Sequence, residues 1–180
     1  MRSRCILATC LLLLAACGGD SGPTSPGGVK DSYSATVSGD THHDMKGHAI
    51  FAVNSGVGFA LELPDTLQGT IYFEQEQGAP GTGKIQLADA SSGQVSSGSM
   101  WGVVVLAPPL GAAEGVLYSQ SGTLEITSQT STEMKGNFTF TAVGTLNGVS
   151  GEATVTVTGS FDARNGSVTM PSGRVTITRE

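Results

Sequence analysis

GTLEIT at residues 122–127, MKGNFTFTAVG at 134–144, EATVTVTGSF at 152–161 and RVTIT at 174–178 decide the fold of this chain. In each, apolar side chains stand two apart: Leu124 and Ile126, Phe138 and Phe140, Val155 and Val157, Val175 and Ile177. Thr or Glu fills the position between them. A period of two sends alternate residues to opposite faces of a pleated strand, so one face packs into a core and the other meets water.

The same grammar extends toward the N-terminus. Tyr33, Ala35 and Val37 alternate with Ser34, Thr36 and Ser38 before Gly39-Asp40 closes the segment, and further strands are predicted at 47–54, 57–63, 69–76, 83–88, 100–106 and 115–119. The 26 Gly residues punctuate turns, and together with abundant β-branched Thr they disfavour long helices. A hydrophobic share of 38% with clean alternation excludes intrinsic disorder. The expected fold is therefore all-β: a single antiparallel β-sandwich, with a flattened barrel as the alternative, over residues 31–180. The Gly-led strand words recur at spacings too uneven for an internal repeat and read as hairpin grammar. A net charge of −6 has the wrong sign for binding phosphate, so no nucleic-acid partner is expected.

Residues 1–16 carry an address rather than a fold. Arg2 and Arg4 precede an apolar run from Ile6 to Ala16, the anatomy of an export signal. The run is too short for a spanning helix, which needs roughly 20 apolar residues. It ends in Leu14-Ala15-Ala16-Cys17, which resembles the lipobox of bacterial lipoproteins. That resemblance implies that Cys17 receives a diacylglyceryl group and becomes the first residue of the mature chain. Gly18 stands where a retention aspartate would hold a lipoprotein in the inner membrane, implying an outer-membrane destination in a two-membrane cell. Cys5 and Cys10 leave with the signal, so no disulfide can form within the mature chain. Residues 17–30, mostly Gly, Ser, Pro and Asp after the cysteine, read as a flexible tether reaching roughly 20 Å on average.

GTLEIT, KGNFTFTA and TVTVTGSFD, taken together over residues 122–162, resemble the C-terminal half of a family of uncharacterised bacterial lipoproteins that share a β-rich domain behind a lipobox. The resemblance implies a β fold and an envelope address. It brings no activity with it.

Several strings look like chemistry. Gly78 to Lys84 has the GxxxxGK spacing of a phosphate-binding loop, but Ile85 stands where Ser or Thr would hold magnesium, and the following residues alternate instead of forming a helix. It reads as a hairpin loop. Gly19-Asp20-Ser21-Gly22 resembles a serine-protease nucleophile motif, yet it lies in the tether, where nothing can position a triad. All three histidines fall between 42 and 48; His42, His43, Asp44 and His48 are metal-ligand types, although Lys46 among them opposes a cation and His43 points away from the other three in an extended chain. The plainer reading of 41–48 is a solvated hairpin connection. Glu74 and Glu76 share a face of one strand, which suits a solvated surface as well as a carboxylate pair. Trp101, with Tyr72 and Tyr118, suggests a glycan-stacking or protein-binding platform, but the apolar run 103–106 beside Trp101 favours packing. Pro108-Pro109 ends that strand.

No catalytic constellation is complete, and no cofactor is implied. The expectation is a lipid-anchored cell-envelope β domain, a non-enzymatic binding or structural module joined to the membrane through Cys17 and meeting a protein or glycan partner. The alternatives are a metal-binding lipoprotein using His42, His43, Asp44 and His48, and an envelope hydrolase using its carboxylates.

Overall fold

Alternation on this scale requires many short strands to find partners, and the computed structural model shows how they do. It describes residues 31–54, 58–107, 114–168 and 176–178. The signal, Cys17, the tether with its Gly-Asp-Ser-Gly string, and Pro108-Pro109 lie outside the described residues. The strands are β1 (Ser32–Gly39), β2 (His43–Gly47), β3 (Ile50–Asn54), β4 (Gly58–Asp65), β5 (Gly69–Gln75), β6 (Gly83–Gln86), β7 (Gln94–Ser96), β8 (Met100–Leu106), β9 (Gly115–Gln129), β10 (Glu133–Leu146), β11 (Ala153–Asn165) and β12 (Thr176–Thr178). No helix occurs among the described residues.

The main sheet closes on itself. Hydrogen bonding runs β9-β8-β5-β4-β3-β11-β10 and returns to β9, a ring of seven strands. The expected all-β fold, a sandwich or flattened barrel, is thus found with its main sheet closed, and closure leaves no open edge around the ring. The closing contact is short and parallel: Ile50 and Phe51 pair with Arg164 and Asn165. Below it the β1–β2 hairpin continues the wall. β1 pairs with β11 over its whole length, and β2 abuts β4, where the Lys46 amide donates to Asp65 Oδ2 at 2.9 Å. Only glycine fits at the end of β2, since a Cβ on Gly47 would stand 2.1 Å from the Pro64 carbonyl oxygen.

Side chains fill the interior. Phe73 packs against Phe138 and Phe140 at ring-centroid distances of 5.1 and 5.5 Å, and Phe138 stacks toward Phe161 at 6.5 Å. Each of two rings lies over a glycine on the neighbouring strand. Gly136 pairs with Phe161 and Phe138 with Gly159, where a Cβ would approach the facing ring to 2.7 and 2.6 Å. Gly in GNFTF and TGSF therefore makes room for aromatic rings inside the barrel.

The outer surface has two characters. Across β9, β10, β11 and β1 it is a grid of hydroxyls, with Thr123, Thr139, Thr158 and Thr36 paired in one row. Across β5, β8 and β9 it is apolar and covered: Trp101 and Val103 form a second cluster with Ala90 and Val95, flanked by Tyr72, Val105, Val116 and Tyr118. This is why β8 is apolar on both faces. The buried Ser119 hydroxyl fastens the cover, accepting from the Gly102 amide at 3.1 Å and donating to the Ala88 carbonyl at 2.8 Å.

Three details depart from the expectation. Residues 43–47, read as a connection, form strand β2, and the segment predicted at 47–54 starts instead at Ile50. The predicted strands at 115–119 and 122–127 are one strand, β9, joined through a bulge in which Ser119 and Ser121 face consecutive residues of β10 and Gln120 is the extra residue. The pairing is also not wholly antiparallel, since β3–β11 and β7–β12 are parallel.

Candidate functional site

Strand direction gives the barrel two poles. β1 begins at Ser32 opposite Asp162 near the end of β11, so the chain enters at one pole. There Asp31 Oδ2 receives Arg164 Nε at 3.0 Å and lies 3.5 Å from His48 Nδ1. The opposite pole gathers the β1–β2, β4–β5, β8–β9 and β10–β11 connections.

Side-chain and backbone hydrogen bonds join the described ends of these connections at the far pole. Asp65 starts the β4–β5 turn, its Oδ1 accepting from the Leu67 and Gln68 amides at 2.8 and 3.1 Å. Gln68 Oε1 then meets His43 Nδ1 at 2.7 Å, and His43 Nε2 meets Thr41 Oγ1 at 3.0 Å. An amide oxygen cannot donate, so Nδ1 donates to Gln68, while Nε2 shares a hydrogen bond with the Thr41 hydroxyl. Glu114 Oε2 lies 3.6 Å from the same Nε2, and the Glu114 carbonyl accepts from the Asn147 amide at 2.7 Å. Asp40 completes the ring: its amide donates to the Thr154 carbonyl at 3.1 Å, and its Oδ2 accepts from the Thr154 amide at 2.7 Å.

His43 is thus a tie between turns, with only 12% of its side chain exposed. Both ring nitrogens are engaged. Of the metal-ligand candidates, His42 and Asp44 stand together, 3.6 Å apart and exposed, while His43 belongs to the far-pole network and His48 to the Asp31 contact at the entry pole. Among the described residues no group of three or more His, Cys, Asp or Glu is arranged to hold a metal ion.

Glu74 and Glu76 differ from each other. Glu74 lies between Ala60 and Trp101 on the neighbouring strands, and burial pushes its carboxyl up to about 7. Glu76 Oε2 accepts from the Ser97 hydroxyl at 2.9 Å. The expectation of a solvated pair therefore fails for Glu74, because the large indole beside it keeps water away. On β5 as well, Tyr72 donates toward Glu62 at 3.5 Å; burial and that carboxylate raise its phenol. The Gly78–Lys84 string runs from a bend into β6, with no helix after it to face a phosphate.

The aromatic trio also divides. Trp101 is 7% exposed beneath the 88–95 cover, while Tyr72 and Tyr118 are only partly buried beside it. Tyr118 lines a recess of about 340 Å³ with Val116, Val143, Gly144, Thr145 and Glu152. A second depression, about 380 Å³, lies over the hydroxyl grid at Ser34, Thr36, Thr158 and Ser160. It adjoins a third around Ser32 and Asp162, where Lys135 Nζ donates to Asp162 Oδ2 at 2.7 Å, a contact that raises the lysine. Neither Glu74 nor Glu76 lines any of these recesses. The far-pole network was not visible in sequence, since Gln68 and Glu114 carry no motif.

No protein-family model, curated protein or solved structure matches the chain.

Proposed function

We propose that the protein is a lipid-anchored module of the cell envelope, tethered through Cys17 and acting by binding rather than by catalysis. The observation that carries this reading is Leu14-Ala15-Ala16-Cys17 at the end of an eleven-residue apolar run behind two arginines. The thiol is the nucleophile that takes the diacylglyceryl group, and two or more acyl chains hold a protein on a membrane where one does so only marginally. The barrel supports the binding half of the reading: its interior is occupied by Phe51, Phe59, Phe73, Phe138 and Phe140, so a ligand meets the outer surface. For a cell with two membranes, Gly18 favours the outer one.

Mass spectrometry of the N-terminal fragment from the membrane fraction tests the anchor. The expected result is a Cys17 that begins the chain and carries a thioether-linked diacylglycerol. The Cys17→Ala variant is expected to lack lipid and to remain uncleaved. Unmodified wild-type protein in the soluble fraction would refute the reading.

A further inference from the structure

We propose that the recess on the outer face of β9 and β10 binds one pyranose ring of an envelope glycan. The inference rests on the reading of the domain as an envelope binding module, and it names the class of ligand.

The recess arises from register. Val116 pairs with Thr145 and Tyr118 with Val143, a block of two cross-strand pairs on the outer wall. Val143 is 3% exposed and forms the floor. Tyr118 is partly buried, packed against the Trp101–Val103 cluster while also lining the recess. Gly144, between Val143 and Thr145 on β10, pairs with the core residue Leu117 and brings the two strands close, for a Cβ there would lie 2.2 Å from the Val116 carbonyl oxygen. Gly151 borders the far side with open space around its α-carbon.

The resulting surface is apolar below and polar at the rim. Val116, Val143 and Tyr118 supply the apolar part; Thr145, Glu152 and Ser91, whose hydroxyl donates to Asp89 Oδ1 at 2.6 Å, supply the polar part. A pyranose has the same division, with C–H bonds on its faces and hydroxyls around its edge, and binding sites for such ligands pair an apolar or aromatic floor with a few polar groups. The volume of about 340 Å³ sits near the lower end of small-molecule sites, which suits one ring rather than a chain buried along its length. No lysine or arginine lines the recess, and Glu152 repels anions, so phosphates and nucleotides are disfavoured. A purely apolar ligand would leave the hydroxyl and carboxylate rim unused.

The far-pole contacts act as positioning groups. Thr154, held by Asp40, follows Gly151 and Glu152 by a few residues, and Asn147 at the start of the same turn donates to the Glu114 carbonyl. The rim on that side is therefore fixed before a ligand arrives, which lowers the ordering cost of binding.

The test is an NMR titration of the chain as cells produce it, purified from whichever fraction holds it and kept in a detergent without a sugar headgroup, with N-acetylglucosamine, glucose and choline. Saturable shifts at Val116, Tyr118, Val143 and Thr145 are expected with at least one of the two sugars, with Kd on the order of a millimolar for so open a site. Tyr118→Leu keeps apolar contact with the outer cluster and is expected to weaken binding at least tenfold. Glu152→Gln, at an exposed rim position, is expected to weaken it a few fold with the remaining spectrum unchanged. Absence of saturable shifts with both sugars, shifts confined to the hydroxyl grid at Ser34 and Ser160, or a response to choline alone would overturn the proposal. An unlipidated Cys17 would instead sink the anchor, and the titration reads independently of it.

Discussion

Glu74 makes the energetic consequences of the covered outer wall measurable. Its carboxyl is raised from an ordinary 4.5 to about 7 by burial beside Trp101 and Ala60. The folded chain thus holds a proton that the unfolded chain has released between pH 4.5 and 7. Below 4.5 both states are protonated and the group has no effect; as pH rises through the window, the native state is progressively penalised, and the full penalty is present above about 7. At about 1.4 kcal/mol for each tenfold change, the unscreened limit is about 3 kcal/mol. The side chain is still partly exposed, and solvent screening reduces this to about 1–2 kcal/mol. Glu74→Gln keeps the shape and removes the ionisation. Urea denaturation of wild type and variant in parallel from pH 5 to pH 8 isolates the effect, because every other titration cancels in the difference. The advantage of the variant is expected to grow by about 1–2 kcal/mol across that range, or roughly 2–8 °C in Tm for a domain of this size. A difference that is independent of pH, or that shrinks as pH rises, refutes a desolvated Glu74.

Ser119→Ala removes the hydroxyl that joins the Gly102 amide to the Ala88 carbonyl and leaves both without that partner. A loss of about 1–3 kcal/mol is expected, with faster hydrogen exchange at the Gly102 amide; unchanged exchange there would show that the cover is fastened elsewhere. Gly122 and Gly148 both have positive φ, at +141° and +88°, but only Gly122 is crowded, its added Cβ falling 2.3 Å from Phe140 Cβ. Gly148→Ala is expected to cost about 1 kcal/mol of backbone strain and Gly122→Ala roughly 3 kcal/mol or more, read as shifts in urea midpoint. Equal costs would mean that the bulge of β9 relaxes around the new methyl group.

Strand existence was legible wherever alternation ran for five residues or more, as in residues 32–38 and 153–158. What stayed hidden was decided by partners far away in the chain. β2 reads His-Asp-Met-Lys-Gly, with Met45 as its one buried apolar side chain, so it offers no period to detect; pairing with β1 and contact with β4 make it a strand. The polar run Ser119-Gln120-Ser121-Gly122 has turn composition, and only the unbroken β10 opposite shows that it is a bulge. Gly136 and Gly159 look like punctuation until the Phe rings they accommodate are placed. Closure itself depends on two parallel residue pairs between β3 and β11, too few to leave a sequence signature. At the candidate site, the apolar run after Trp101 made its packing readable, but that Tyr118 packs against the same cluster and still lines a recess depends on the pairing of β9 with β8 and β10. His43 kept its secret for a similar reason: its partners arrive from the β4–β5 turn and the residue before β9.

The two proposals meet in the geometry of the barrel. The chain enters at the pole where Asp31 binds Arg164, and Glu152 sits at the other, just before β11 begins. β11 has 13 residues, so the poles are separated by roughly 40 Å of extended strand. The proposed lipid would join the chain on the side of the entry pole, and the Tyr118 recess lies toward the other pole. Polar ties hold both poles: Asp31 with Arg164 and Lys135 with Asp162 at the entry, and His43, Asp40 and Glu114 at the far end. A fold that needed only to persist would be served by the core. Under the two proposals, the ties at the entry pole brace the anchored end and those at the far pole brace the recess.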